Sequence, residues 1–149
     1  MVIAATVRRR LVLITVQGGS MLPTFSSGDR VLVDQIGARR LRTGQIVVLQ
    51  GPHPDHRDGW GWSTDPIPRT GLASHDWLIK RVIAVPSDPV PEEVQGVLGT
   101  GAESRVPVGR LVVRGDAPHS ADSRQWGLVP VDRVLGVVVR RVRPATAPA

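Results

Sequence analysis

Six short runs rich in β-branched residues, each closed by Gly, Pro or a polar turn, set the fold class of this chain. They are residues 11–17 (LVLITVQ), 30–36 (RVLVDQI), 45–50 (QIVVLQ), 77–85 (WLIKRVIAV), 110–114 (RLVVR) and 134–142 (VLGVVVRRV). Runs of this length between turn signals read as strands. No internal repeat and no convincing amphipathic helix accompanies them. The expectation is a mainly β fold, in one domain over residues 1–149, with long loop insertions. Residues 51–76 are Pro-rich, carry Trp60, Trp62, His53, His56 and His75, and have no periodicity, so they read as a surface loop insertion. Residues 87–109 read as a loop with a loose hairpin, 115–126 as a polar turn, and 144–149 as a flexible Pro/Ala tail.

Several function classes fall away at once. The chain has no cysteine, which excludes a disulfide scaffold, a thiol nucleophile and thiolate metal sites. No apolar run approaches the roughly 18 residues that span a bilayer. The net charge is +6, but the basic residues are scattered and aromatics are scarce, with four Trp, one Phe and no Tyr. The charge therefore reads as a solvated Arg-rich surface, and no nucleic acid is expected as partner. His53 and His56 stand in HPDH beside Asp55 and Asp58, inside the Pro-rich segment. A metal site needs three or four ligands on rigid elements, so neither a metal nor a cofactor is expected.

Of the 19 basic residues one is Lys, at Lys80, and the others are Arg. Arg stays protonated, whereas a buried Lys can lose its proton. Period-two alternation puts Leu78, Lys80 and Val82 on one face of a strand, and Ile79, Arg81 and Ile83 on the other. Lys80 therefore sits on an apolar face, where desolvation disfavours the ammonium form. Ser20 follows Gly18-Gly19 at the end of a strand, where a hydroxyl can be displayed on a tight turn. A third segment, residues 115–124 (GDAPHSADSR), is dense in short polar side chains. Each has a plainer reading taken alone: a turn serine, a snorkelling edge lysine, and a hydrogen-bonded turn with an Asp/Arg pair.

Together, and in this order, GGSMLPTFSSGDRVLVD, DWLIKRVIAVPSD and VVRGDAPHSADSRQWGLVPVDRVLG resemble the motif boxes of the type I signal peptidase family. These are serine endopeptidases with a Ser/Lys dyad on a β fold. The resemblance covers more than half the chain. It implies Ser20 as nucleophile and oxyanion N–H donor, Lys80 as general base and Ser120 as the serine that orients it. It implies Asp122 and Arg124 as a supporting ion pair, Arg81 as a structural basic partner, and Pro23 and Thr24 as the turn that fixes the nucleophile. Val16, Met21 and Ile79 fall where the family builds shallow apolar pockets for small substrate side chains. The implied substrate is a precursor protein or leader peptide cut after a small residue, with a membrane surface as further partner and no cofactor.

The chain departs from the family pattern in four places. Gly18 stands where some members carry a second oxyanion hydroxyl. Ala117 replaces an Asn, and Ser87 replaces a Gly. The membrane anchor ahead of the first strand is not seen. Residues 1–10 read either as the stub of an anchor, with an extracytoplasmic catalytic domain, or as the start of a cytoplasmic enzyme. In that second case the chain would be a soluble maturation protease for one precursor, of the nickel superoxide dismutase type. A self-cleaving repressor shares the SM-x-P element, but the S-x-DSR box and the short segment before Ser20 speak against it.

Overall fold

The computed structural model describes residues 10–35, 40–55, 59–72, 75–99 and 104–142. The segment 1–9, His56, Asp58 and the 144–149 tail lie outside them. The strands are β1 (Leu11–Thr15), β2 (Arg30–Asp34), β3 (Ile46–Gln50), β4 (His53–Asp55), β5 (Gly59–Gly61), β6 (Trp77–Ala84), β7 (Arg110–Arg114), β8 (Val129–Pro130) and β9 (Val134–Val142). Two short helices, α1 (Glu92–Leu98) and α2 (Ser123–Trp126), complete the set. The fold is mainly β, as the sequence predicts.

Seven strands form one antiparallel sheet in the order β1-β2-β9-β3-β6-β7-β8. Its centre follows from composition. In β3 the successive residues Val47, Val48 and Leu49 are all buried, as in a strand covered on both faces. β9 pairs with β2 on one side and β3 on the other, with a register shift on each side. Such bulges bend a strand and increase its twist, which curls the sheet. Gly136 makes the bend feasible: a Cβ there would lie 2.5 Å from the Asp34 carbonyl oxygen.

Core side chains gather on the two faces of this sheet. One cluster joins Ile14, Val16, Met21, Phe25, Val31, Val33, Val48, Ile79 and Leu135. A second joins Val47, Leu49, Val82, Leu111, Val113, Val129, Val134 and Val137, with Trp62 and Trp126 packed against it, and a third joins Ala84, Val90, Val94, Val106 and Val112.

Three loop expectations need correction. Within 87–109 the chain forms helix α1, where Glu92 and Glu93 complement the dipole at the first turn and Val94 is buried. Within 115–126 it forms α2, started by a capping box in which Asp122 and Gln125 satisfy each other's backbone N–H groups. The 51–76 insertion is built rather than loose. It holds the β4–β5 hairpin. It is pinned to the sheet through Arg133, only 2% exposed, which donates to the Asp65 carbonyl at 2.6 Å and to Gln50 Oε1 at 2.8 Å. Trp77 Nε1 also donates to the Leu72 carbonyl at 2.7 Å.

Candidate active site

The Ser20 turn leaves β1 through a closed base. Val16 N–H donates to the Asp29 carbonyl at 2.7 Å, and Gly28 N–H donates to the Val16 carbonyl at 2.8 Å. Between these ends Met21 and Phe25 are buried and anchor the loop in the core, while Gly18 takes a left-handed φ of 79°. Thr24 is tied twice. Its hydroxyl donates to Asp116 Oδ2, and its carbonyl accepts from Arg141.

Lys80 lies in β6 opposite Val47 of β3, on the face that carries Val82. It is 2% exposed. Burial pushes its amine below the ordinary lysine range. The nearby Asp122 carboxylate works against that, and Arg124 works with it. Among the described residues Lys80 forms no ion pair. Its Nζ lies 5.8 Å from the centre of the Trp126 ring.

The third segment meets both. The last paired residues of β6 and β7 are Arg81 and Arg114, so Gly115 is one step beyond, on the side of Lys80. A Cβ at Gly115 would overlap the Ser120 side chain and come within 2.5 Å of the Ser20 carbonyl oxygen. The backbone passes between the two serines, and only Gly leaves room. Ala117 N–H then donates to that same Ser20 carbonyl at 3.0 Å.

Asp122 organises the turn. Its Oδ2 accepts from Ser120 Oγ at 2.7 Å, from Gly115 N–H at 3.0 Å and from Arg124 at 2.9 Å, while Oδ1 accepts from Arg124 Nε at 2.9 Å. Burial alone would raise this carboxyl. The hydrogen bonds from Arg124, Ser120 and the backbone outweigh it and hold the group down at about 2. Arg81 makes a second two-pronged pair, Nε to Asp116 Oδ1 at 2.9 Å and NH2 to Oδ2 at 2.8 Å. Through Asp116 it reaches Thr24, and so fixes the Ser20 turn to β6.

Val16, Met21 and Ile79 all sit in the first core cluster, at 3%, 0% and 6% exposure. The open surface next to them is a cleft of about 510 Å³ between β1 and the start of β6, walled by Leu13, Ile14, Thr15, Gln17, Trp77 and Leu78. The three residues expected to line substrate pockets are buried beside this cleft, and its wall residues carry no motif in the sequence. Gly115 and Asp116 lie in the 115–124 segment singled out from sequence, but the motif gives no partner for them or for Trp126. The Gly-Asp pair ending β7 and the aromatic at the end of a capped turn were the available signals.

The signal peptidase, peptidase S26 family model matches residues 1–98 and 91–142. Over 132 residues the chain is 29% identical to mitochondrial inner membrane protease subunit 1 of Schizosaccharomyces pombe, covering 85% of this chain and 70% of that protein. It is 31% identical over 132 residues to mitochondrial ATP-independent inner membrane protease subunit 1b of Arabidopsis thaliana, covering 85% and 67%. It is 29% identical over 147 residues to probable signal peptidase I-1 of Synechocystis sp., covering 85% and 68%. No helix among the described residues is long and apolar enough to cross a membrane. A curled antiparallel sheet, a serine on a turn pinned to a strand that carries one buried lysine, and matches along nearly the whole described length agree: the chain belongs to the signal peptidase family, peptidase S26, and is a serine-type endopeptidase.

Proposed function

We propose that this chain removes a signal or leader peptide from precursor proteins by cutting after a small residue, with Ser20 as nucleophile and Lys80 as general base. The observation that carries this is the burial of the chain's one lysine beside the turn of Ser20. A neutral Lys80 amine takes the hydroxyl proton as Ser20 Oγ attacks the scissile carbonyl. The Ser20 N–H, which donates to no group among the described residues, faces the developing oxyanion. On collapse, the Lys80 ammonium gives its proton to the leaving amine and an ester remains on Ser20. Lys80 then deprotonates a water that hydrolyses the ester and frees the acid product.

Two strand edges without a ladder partner among the described residues support a substrate path through the cleft. Val16 uses its N–H and C=O on the 28–29 turn, so in an alternating ladder Thr15 and Gln17 turn theirs outward. Val82 N–H donates to Gln45 on the β3 side, so Trp77 and Ile79 turn theirs away from β3, where β7 has already ended. An extended peptide laid between them would bond to both edges. Small side chains suit the narrow space over Val16, Met21 and Ile79.

We place this activity at a membrane surface, in keeping with the names of the mitochondrial relatives. The test is cleavage of a leader peptide with a small residue before the scissile bond. Ser20→Ala and Lys80→Arg should each abolish turnover, and Ser120→Ala should cost less. A wild-type rate for Lys80→Arg would remove lysine from the mechanism, since Arg does not give up its proton.

A further inference from the structure

Lys80 Nζ lies over one ring of an aromatic pair drawn from two distant parts of the chain. Trp126, the last residue of α2, sets its ring 5.8 Å from Lys80 Nζ. Trp62, just past β5 in the 51–76 insertion, meets Trp126 edge-on, with ring centres 6.1 Å apart and planes at 87°. That is the T-shaped geometry favoured by ring quadrupoles. Both rings pack on the cluster of Val47, Val82 and Val113, the face Lys80 occupies. The insertion is itself held down by buried Arg133, so Trp62 stands on a fixed base.

We propose that Trp126 is a positioning residue for Lys80, covering its amine against water, and that Trp62 acts through Trp126 by holding that ring in place. The proposal rests on Lys80 being the catalytic base and adds what keeps that base dry. The charged groups acting on Lys80 are Asp122 and Arg124, whose charges oppose and which are bonded to each other. β3 offers Val47, and β6 offers Leu78 and Val82 beside it. Arg81 is turned to the other face and bound to Asp116. Asp122 favours the ammonium, Arg124 offsets it in part, and desolvation is the largest influence, so exclusion of water decides the protonation of the amine. A ring face also attracts an ammonium, and this would act in the opposite sense. At 5.8 Å that attraction is near its outer limit of about 6 Å. Shielding therefore prevails.

The single lysine makes a direct test feasible. Protein grown with ¹³C-lysine gives one side-chain Cε signal, which is followed against pH without any substrate. In Trp126→Ala the titration midpoint should rise by about one pH unit or more towards the free-lysine value, leaving about tenfold less free amine at neutral pH. Trp62→Ala should raise it by less. The double variant should match Trp126→Ala alone, because Trp62 works through Trp126. Trp126→Phe, which keeps a ring, should stay near the wild type and guards against misfolding of the alanine variant. An unchanged or lowered midpoint in folded Trp126→Ala or Trp62→Ala overturns the proposal. Cleavage rates against pH on the same variants separate the two readings. A shifted lysine signal with an unshifted rate profile would leave the shielding intact and remove Lys80 as base.

Discussion

Gly115→Ala is the most discriminating single change in the site. The methyl would overlap the Ser120 side chain and lie 2.5 Å from the Ser20 carbonyl oxygen, where ordinary contact begins at 3.4 Å. Relief therefore needs movements of about 1 Å on the Ser20 side and more on the Ser120 side. Neither side is free to give. The Ser20 carbonyl is held by Ala117 N–H at 3.0 Å, and Ser120 Oγ is held by Asp122 at 2.7 Å. Overpacking of this kind costs about 1–3 kcal/mol, which a folded domain survives. A displacement of about 1 Å between nucleophile and base costs on the order of 100-fold in rate. The expected variant is folded, moderately less stable, and about 100-fold slower in kcat/KM on a leader peptide. Urea unfolding and steady-state cleavage measure the two effects. Gly96→Ala in α1 is the control, since no described residue lies within 4 Å of its Cβ position. It should keep full activity and gain up to about 1 kcal/mol from helix propensity. Wild-type kcat/KM in a folded Gly115→Ala protein would refute the convergence of Ser20, Lys80 and Ser120 at this point.

Two further outcomes follow from the Asp122 network. Its carboxyl is held at about 2 in the folded state, against an ordinary value near 3.9 when unfolded, so the ionised form stabilises the fold. That contribution, on the order of 2 kcal/mol, is fully present above about pH 5 and is lost as pH falls through about 2. Urea midpoints at pH 6 and pH 2.5 should differ more in the wild type than in Asp122→Asn, and equal differences would contradict the assignment. Arg124→Gln should leave Asp122 with an uncompensated charge that favours the Lys80 ammonium. The alkaline rise of kcat/KM should then move to higher pH, and a shift to lower pH would show that Arg124 does not offset Asp122.

Strands were legible because each depends on a local pattern: β7 and β9 have the bounds the β-branched runs predict, and β1 ends at Thr15 only because Val16 turns to the 28–29 base. The helices were missed because they are short and written in small signals. Pro91-Glu92-Glu93 with Val94, Val97 and Leu98 marks α1, and the Asp122-to-Gln125 box marks α2. The site residues expected from the motifs included one pair, Asp122 with Arg124, but the other partners were not legible. That Arg81 meets Asp116, or that Trp62 reaches Trp126, depends on sheet register and on how the insertion is pinned, and no window of sequence contains either.

In the proposed mechanism, the division of charge suits this composition to a lysine base. A chain that uses Arg at every other basic position can bind its site carboxylates in permanent two-pronged pairs, Asp116 with Arg81 and Asp122 with Arg124. Arg124 offsets part of the Asp122 charge, which would otherwise hold the lysine as ammonium. Had Lys stood at residue 124, its compact ammonium would lack the planar fork that bonds both Asp122 oxygens while reaching the Ser120 carbonyl at 3.2 Å. The permanent cations thus do the binding, and the one Lys among the 19 Lys and Arg residues, the one of them able to lose its proton, is left without a carboxylate partner among the described residues.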